Sequence, residues 1–326
     1  MTMKELAKLA NVSVSTVSKA FNEANDINQA TKNRIFEIAK QYGCFGKFYR
    51  GKYHKKTIAI ICQEFGSSYY TRFINIFQYL IEKDNGICLV SVDNFSASKQ
   101  SELIEYYSSY LKVDGIIVFC LNSKLKRGYK TPIVSLFSSV DPNVDSVNTD
   151  INSTIREAVN TLKTFGHKNV AFFGERLTEQ KSARFVKFAE QILDDYKVFE
   201  SKERFERVGK DCARQLLKSK SSCTAIICAY DNIAFGAIKE LKKNGYKIPD
   251  DFSVIGIDNI SFSEYTDIPL TTIDAGAAEI CEIAWGLLCK KIKNPFFKSL
   301  QQITVKSKLI LRESVGPAKE KPILEE

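Results

Sequence analysis

Two hydrophobic rhythms divide the chain near residue 56. Ahead of that point apolar residues recur every three or four positions, the spacing of amphipathic helices. MKELAKLA reads as a helix over about 2–10 and ATKNRIFEIAKQYG as another over about 28–42. Between them NVSVSTVSKAFN (11–22) alternates Val with Ser and Thr and first suggests a strand. On a wheel of about 100° per residue the same dozen residues part into two faces. Ser13, Thr16, Val17, Ala20 and Phe21 share one face, and Val14, Ser15, Ser18, Lys19 and Asn22 share the other. Val17 and Phe21 form an i, i+4 apolar pair, Ser13 suits an N-cap, and Asn11 tolerates the left-handed backbone of a tight turn. The pattern predicts helix, turn and helix, followed by a third helix.

From Thr57 onward the rhythm changes to short, nearly continuous apolar runs. These are TIAIIC (57–62), ICLVSV (87–92), GIIVFC (115–120), PIVSLF (132–137), NVAFFG (169–174), TAIICA (224–229) and FSVIGID (252–258). Amphipathic segments such as FINIFQYLIEKD, STIREAVNTLKTFG and NIAFGAIKELKKNG separate most of them. Strands buried on both faces and alternating with helices make parallel sheets. More than 250 residues of this pattern exceed one core, so the fold class is an all-α helix-turn-helix headpiece followed by an α/β core of two doubly wound parallel-sheet lobes. Ligands of such sheets bind beyond the carboxyl ends of the strands. The expected boundaries are a headpiece over 1–45, a linker over 46–56, and a core over 57–316. Within the core the amino lobe takes about 57–151 and 276–304, and the carboxyl lobe takes 152–275 and 305–316, leaving a tail at 317–326. The aromatic, basic and glycine-rich stretch GCFGKFYRGKYHKK (43–56) has no clear period and reads as a linker that folds on a partner.

Composition narrows the function. Apolar residues make up 44% and charged residues 26% of the 326 positions, as in a folded soluble protein. No apolar run approaches the roughly 18 residues of a membrane span, and the first residues mix Lys and Glu without a signal sequence, so a cytoplasmic protein is expected. The nine cysteines form no CxxC pair and only two histidines accompany them, which predicts buried thiols and no metal. No GxSxG, phosphate-binding loop or dinucleotide fingerprint is present, so neither an enzyme nor a cofactor is expected.

The net charge of +9 is concentrated at one end. Residues 1–56 carry eleven Lys and Arg against four Asp and Glu, a net of +7. A basic helical head on a nearly neutral body points to phosphates of nucleic acid. The second helix would enter the major groove, where Lys19 reaches guanine, Ser15 donates or accepts, and Val14 packs on a thymine methyl. Thr2, Ser13, Thr16, Ser18, Asn22, Asn28 and Thr31 offer short polar groups suited to phosphate contacts.

MTMKELAKLANVSVSTVSKAFN…INQATKNRIFEIAKQYG resembles the headpiece of the lactose/galactose-repressor family, and GHKNVAFFG, SARFVKF, LILRES and the long block from Thr224 to Asp274 follow that family's order. The resemblance implies a dimeric repressor, a near-palindromic operator, and a small effector in the cleft between the lobes. It also places base reading on Val14, Ser15 and Lys19, with Lys where arginine is usual. Gly46 stands where family members start a hinge helix with proline, and Tyr53 stands near the position of a minor-groove leucine wedge, which makes Tyr53 a candidate DNA contact. In the cleft the resemblance assigns effector binding to Arg184 and Asp258. Tyr230 and Ala275 replace an asparagine and a glutamine, and Tyr69 and Tyr70 are placed to stack on a ring. The altered positions suggest an effector less rich in hydroxyls than a simple hexose. The tail after Ser314 is too short and irregular for a heptad bundle, so a dimer is expected. A regulator of this fold answering to a protein partner, or a solute-binding protein, are the alternatives.

Overall fold

The computed structural model describes residues 1–22, 24, 26–49, 55–125, 129–176, 196–294, 296–297 and 299–319. Tyr53 and Arg184 lie outside the described residues. In the headpiece α1 (Met3–Leu9), α2 (Val14–Phe21) and α3 (Gln29–Gln41) begin at the capping residues Thr2, Ser13 and Asn28. Thr2 and Glu5 form a reciprocal capping box, which satisfies two backbone donors at the start of the chain. Asn11 turns the chain with a φ of 49°. Leu6, Val17, Ala20, Phe21, Ile35 and Ala39 close the small core.

The expected linker departs from the sequence reading in its first half. Phe45–Phe48 forms one helical turn, α4, and its rings pack back on the headpiece. Phe21 lies 5.9 Å from Phe45 and 5.7 Å from Phe48 between ring centroids, and Phe36 lies 5.3 Å from Tyr49. Headpiece packing therefore runs to Tyr49 instead of ending at 45. The reason is aromatic area: three rings in five residues, at i, i+3 and i+4, pack on Phe21 and Phe36.

Two six-stranded sheets follow. The amino-lobe sheet contains β1 (Lys56–Cys62), β2 (Gly86–Val92), β3 (Gly115–Leu121), β4 (Ile133–Ser139), β5 (Asp145–Asp150) and β11 (Gln302–Lys306), in the order 11-5-4-3-1-2 and parallel throughout. The carboxyl-lobe sheet contains β6 (Val170–Glu175), β7 (Tyr196–Ser201), β8 (Ala225–Cys228), β9 (Ser253–Ile257), β10 (Thr271–Asp274) and β12 (Lys308–Ile310), in the order 12-10-9-8-6-7. Only β12 in that sheet is antiparallel to its neighbour. Alternate residues of one strand enter cores on opposite faces. Ile58, Ile60 and Cys62 pack with residues of α5 (Ser68–Lys83) and α10 (Ala277–Lys293), while Ala59 and Ile61 pack with Ile104 of α6 (Ala97–Glu105). Phe172 likewise meets α7 (Ile151–Thr164), and Phe173 meets α8 (Glu206–Lys218) and α9 (Asp231–Lys243).

The chain crosses between lobes after β5, after β10 and after β11. The last crossing falls at Ser307 and not after 304, because β11 pairs with β5 through Lys306. Among the described residues no helix is long and apolar enough to cross a membrane, and the described cysteines are all free thiols, six of them buried.

Helices α8 and α9 cross at two glycines. A methyl group on Gly209 would overlap the Ile233 carbonyl, and one on Gly236 would overlap the Glu206 carbonyl. The crossing therefore needs both positions bare. Gly236→Ala is expected to cost about 2–3 kcal/mol or more by forcing the helices apart. Gly286→Ala in α10, where a methyl group meets nothing within 4 Å, should instead stabilise by about 0.5–1 kcal/mol. Urea unfolding of both variants checks the pair, and equal effects would contradict the close crossing.

Candidate functional site

The headpiece offers one polar face. Val17, Ala20 and Phe21 hold α2 on the core and leave Val14, Ser15 and Lys19 exposed. The short polar residues expected to touch phosphate also start or brace helices. Ser13 accepts from the Thr16 amide at 3.0 Å, and its hydroxyl lies 2.6 Å from that of Ser15 and 2.8 Å from that of Thr16. Asn28 accepts from the Ala30 amide at 2.8 Å, and Asn22 donates to the Ser18 hydroxyl at 3.3 Å. Thr31 is half-buried on the first turn of α3. Lys19 is ion-paired with Asp26, and its hydrogen bond holds that carboxyl below the usual range.

A second site lies between the lobes, where the carboxyl ends of both sets of parallel strands converge. A cavity of about 150 Å³ is lined by Glu64, Ser67, Tyr69 and Tyr70 from the amino lobe and by Glu175, Arg204, Phe205, Tyr230 and Asp258 from the carboxyl lobe, among others. Four of the five sequence-predicted cleft residues, Tyr69, Tyr70, Tyr230 and Asp258, thus come together. The two amino-lobe tyrosines also pack inward: Tyr69 lies 5.0 Å from Phe73 and Tyr70 lies 5.7 Å from Phe119 between ring centroids. Burial raises the Tyr70 hydroxyl well above its ordinary pKa.

Glu64, Glu175, Arg204 and Phe205 escaped the sequence reading. They join in one charged network across the cleft. Arg204 pairs with Glu175, whose side chain is only 1% exposed. Tyr230 donates its hydroxyl to the same carboxylate, and burial together with that bond pushes the tyrosine pKa up. Nη2 of Arg204 then reaches both oxygens of Glu64 in the opposite lobe, at 2.8 and 2.9 Å. Burial alone would lower the arginine pKa, but the two carboxylates reverse it and leave it raised. The available signal was positional. Glu175 immediately follows the apolar run NVAFFG and Glu64 follows TIAIIC by two residues, where strand ends deliver side chains to a cleft.

Asp258 is carried by strained backbone. Its φ is 113° and that of Asn259 is 46°, conformations that persist only when the surroundings impose them. The surroundings do so from several sides. Arg72 of the amino lobe donates to the carbonyls of Asp258 and Asn259 at 3.1 and 2.9 Å. Asn259 bonds Asp274 at 2.8 Å and accepts from Arg312 at 2.9 Å. Beneath them lies buried Asp231, which accepts from the Ile260 amide at 2.9 Å, Ser263 at 2.6 Å and Thr272 at 2.5 Å. A side chain at position 256 would collide with that carboxylate, so Gly256 is what lets it approach the strand. Burial raises the Asp231 pKa to about 6, against the lowering effect of its donors.

Comparison with known proteins bears on both sites. A family described as bacterial regulatory proteins, lacI family, matches residues 2–43, and a periplasmic binding protein-like domain matches residues 159–315. The HTH-type transcriptional repressor PurR of Mannheimia succiniciproducens is 28% identical, with 96% of this chain and 98% of that protein covered. The HTH-type transcriptional repressor CytR of Escherichia coli is 24% identical, with 96% of each covered. Among solved structures, a LacI family regulator from Enterococcus faecalis with bound ribose superposes with a TM-score of 0.71 at 24% identity, covering 81% of this chain and all of its own. The lac repressor dimer bound to operator and an anti-inducer superposes with a TM-score of 0.73 at 18% identity, covering 97% and 99%.

Asp231 sets a pH signature. Its folded pKa lies above the ordinary aspartate value of 3.8, so its contribution is full below about pH 4 and is lost as pH rises through about 6. From pH 4 to pH 7 the stability of Asp231→Asn relative to the natural protein should improve by about 1–3 kcal/mol. Denaturant melts at the two pH values measure it, and a pH-independent difference would show that Asp231 titrates normally.

Proposed function

We propose that this chain, which belongs to the lacI family of bacterial regulatory proteins, is a cytoplasmic repressor that binds a near-palindromic operator as a homodimer under the control of a small sugar-related metabolite held between its lobes. Its relatives are transcriptional repressors, not enzymes. The observation that carries the effector half is the cavity at the converging strand ends, where Asp258 on strained backbone meets tyrosines from both lobes. A polar acceptor among ring faces suits a small hydroxylated ligand, and the regulator of like fold from Enterococcus faecalis holds ribose. Arg184 is assigned to the same ligand on the motif SARF.

The operator half rests on the exposed face of α2 and the basic head. Lys19 reads a base after leaving Asp26, Ser15 and Val14 read its neighbours, and the capping residues meet phosphate through their outward surfaces. Tyr53 acts as the minor-groove wedge between headpiece and core. Large aromatic side chains left bare on both lobes, including Tyr110 and Tyr265 at 75% exposure each, leave surface for a second copy.

Differential ligand affinity for two lobe arrangements would supply the control. Arg72 spans the lobes and holds the backbone of Asp258, so a shift of one lobe on the other moves the ligand-binding aspartate as well.

Binding to DNA enriched from random sequence by the protein itself tests both halves. Lys19→Ala should weaken the selected site about tenfold and flatten the preference at one base pair per half-site. Asp26→Ala should tighten binding several-fold by freeing Lys19. Unchanged specificity in Lys19→Ala would remove that residue from base reading. Tyr53→Ala with operator affinity and bending intact would remove the wedge. In calorimetry with sugars, Asp258→Asn and Arg184→Ala should each lose at least tenfold in affinity, and retention of affinity would place the effector elsewhere.

A further inference from the structure

The charged network across the cleft is asymmetric. Arg204 is fixed from its own lobe by its pair with Glu175 and by the Phe205 ring, whose centroid lies 4.7 Å from the guanidinium carbon. Phe205 itself sits at a φ of 55°, an outlier for a bulky residue, and this strained turn aims Arg204 at the amino lobe. Glu175 in turn is occupied by Arg204 and Tyr230. These contacts need nothing from the opposite side. Glu64 differs: among the described residues its carboxylate has Arg204 as its only side-chain partner, and that bond exists only while the lobes are together.

The asymmetry decides which group a ligand replaces. Displacing Arg204 would strand the carboxylate of Glu175 in the interior, which is strongly unfavourable. Displacing Glu64 costs less, because its side chain is 16% exposed against 1% for Glu175 and can turn to water. What takes a carboxylate's place on a guanidinium without loss is another oxyanion, since a neutral hydroxyl makes a bond of roughly half the strength. The rest of the lining then accounts for the rest of such a molecule, with Asp258 accepting from hydroxyls and Tyr69 and Tyr70 flanking a ring.

We propose that the effector is a hydroxylated carboxylic acid of sugar size, and that Glu64 is its built-in competitor, holding on Arg204 the place that the effector's carboxylate takes. The proposal rests on the reading of the cleft as the effector site. It makes Arg204 the residue that selects for charge and Glu64 the residue that keeps the lobes joined in the absence of effector. Exchange cuts one of two ion pairs that join the lobes among the described residues, the other being Arg72 with Asp274 at 3.5 Å.

The test uses the full-length protein with glucuronate, glucose and glucose 6-phosphate in calorimetry, beside operator binding in the presence of each. Glucuronate should bind at least tenfold tighter than glucose. Glu64→Gln should tighten glucuronate several-fold, leave glucose unchanged, and enlarge the radius of gyration of the ligand-free protein in X-ray scattering. Arg204→Lys, which retains a cation for Glu175, should erase most of the preference for the acid. Glucose binding as tightly as glucuronate, or Glu64→Gln leaving both acid affinity and scattering unchanged, overturns the proposal. Tighter binding of the phosphate than of glucuronate overturns the carboxylate assignment. Glucose that binds at least as tightly as glucuronate and shifts operator affinity overturns the acid class alone and leaves the cleft as effector site. If none of the three binds or alters operator affinity while DNA binding persists, both readings fall.

Discussion

Parallel pairing is the constraint from which the rest of the core follows. Parallel strands cannot be joined by tight hairpins, so the chain crosses back between them and each strand ends on the same side of its sheet. Eleven of the twelve strands here obey this, with β12 alone running against its neighbour. The polar segments that leave the strands are thereby gathered at one edge of each lobe, and the three crossings turn those edges toward each other. Glu64 follows β1, Glu175 ends β6, Arg204 follows β7, Tyr230 follows β8 and Asp258 follows β9. Side chains up to 194 positions apart in sequence meet in one cavity because of strand direction alone.

That constraint also explains what the sequence could disclose. Strands such as β1, β3, β6 and β9 are buried on both faces and read as unbroken apolar runs. Strand β5 does not, because DSVNTD buries Asp145 instead of a hydrophobe, against Lys291 at 2.5 Å. Strands β7, YKVFES, and β11, QITVK, are edge strands with mixed patterns, as is the three-residue β12, and β10, TTID, carries a single large apolar residue. In the headpiece the cap at Ser13 was readable because capping chemistry is local. The ring stack of Phe45, Phe48 and Tyr49 was not, since it depends on Phe21 and Phe36, which are remote in sequence. Tyr69, Tyr70, Tyr230 and Asp258 were found through family resemblance, whereas Glu64, Glu175 and Arg204 belong to no motif and become a group only once the sheets are assembled.

The two lobes are tied by arginines that do different work. Arg72 makes its shorter bonds to main-chain carbonyls, beside a longer contact with Asp274, and so couples the amino lobe to the backbone that carries Asp258. Arg204 spends its donors on carboxylates and couples the lobes through charge. The first tie is geometric and the second depends on the ionic state of whatever shares the cleft. A cleft with both can report the presence of a ligand and its charge through separate contacts, and Asp231 beneath Asp258 keeps the geometric tie rigid by bonding Ile260, Ser263 and Thr272.

Both candidate sites share a further property: a cation at the site is held by one of the chain's own carboxylates. Lys19 rests on Asp26 and Arg204 rests on Glu64. An internal carboxylate lowers affinity for every anion equally, so it removes weak binders first and leaves only partners that contribute contacts beyond charge. The strength of the filter follows exposure. The Lys19–Asp26 pair is open to solvent, with side-chain exposures of 50% and 62%, and screening makes it a slight barrier. The Arg204–Glu64 pair, at 31% and 16%, is better shielded and spans two lobes. Breaking it releases one lobe from the other as well as a side chain, so the same kind of pair is a weak local restraint in the headpiece and a stronger tie between lobes in the cleft.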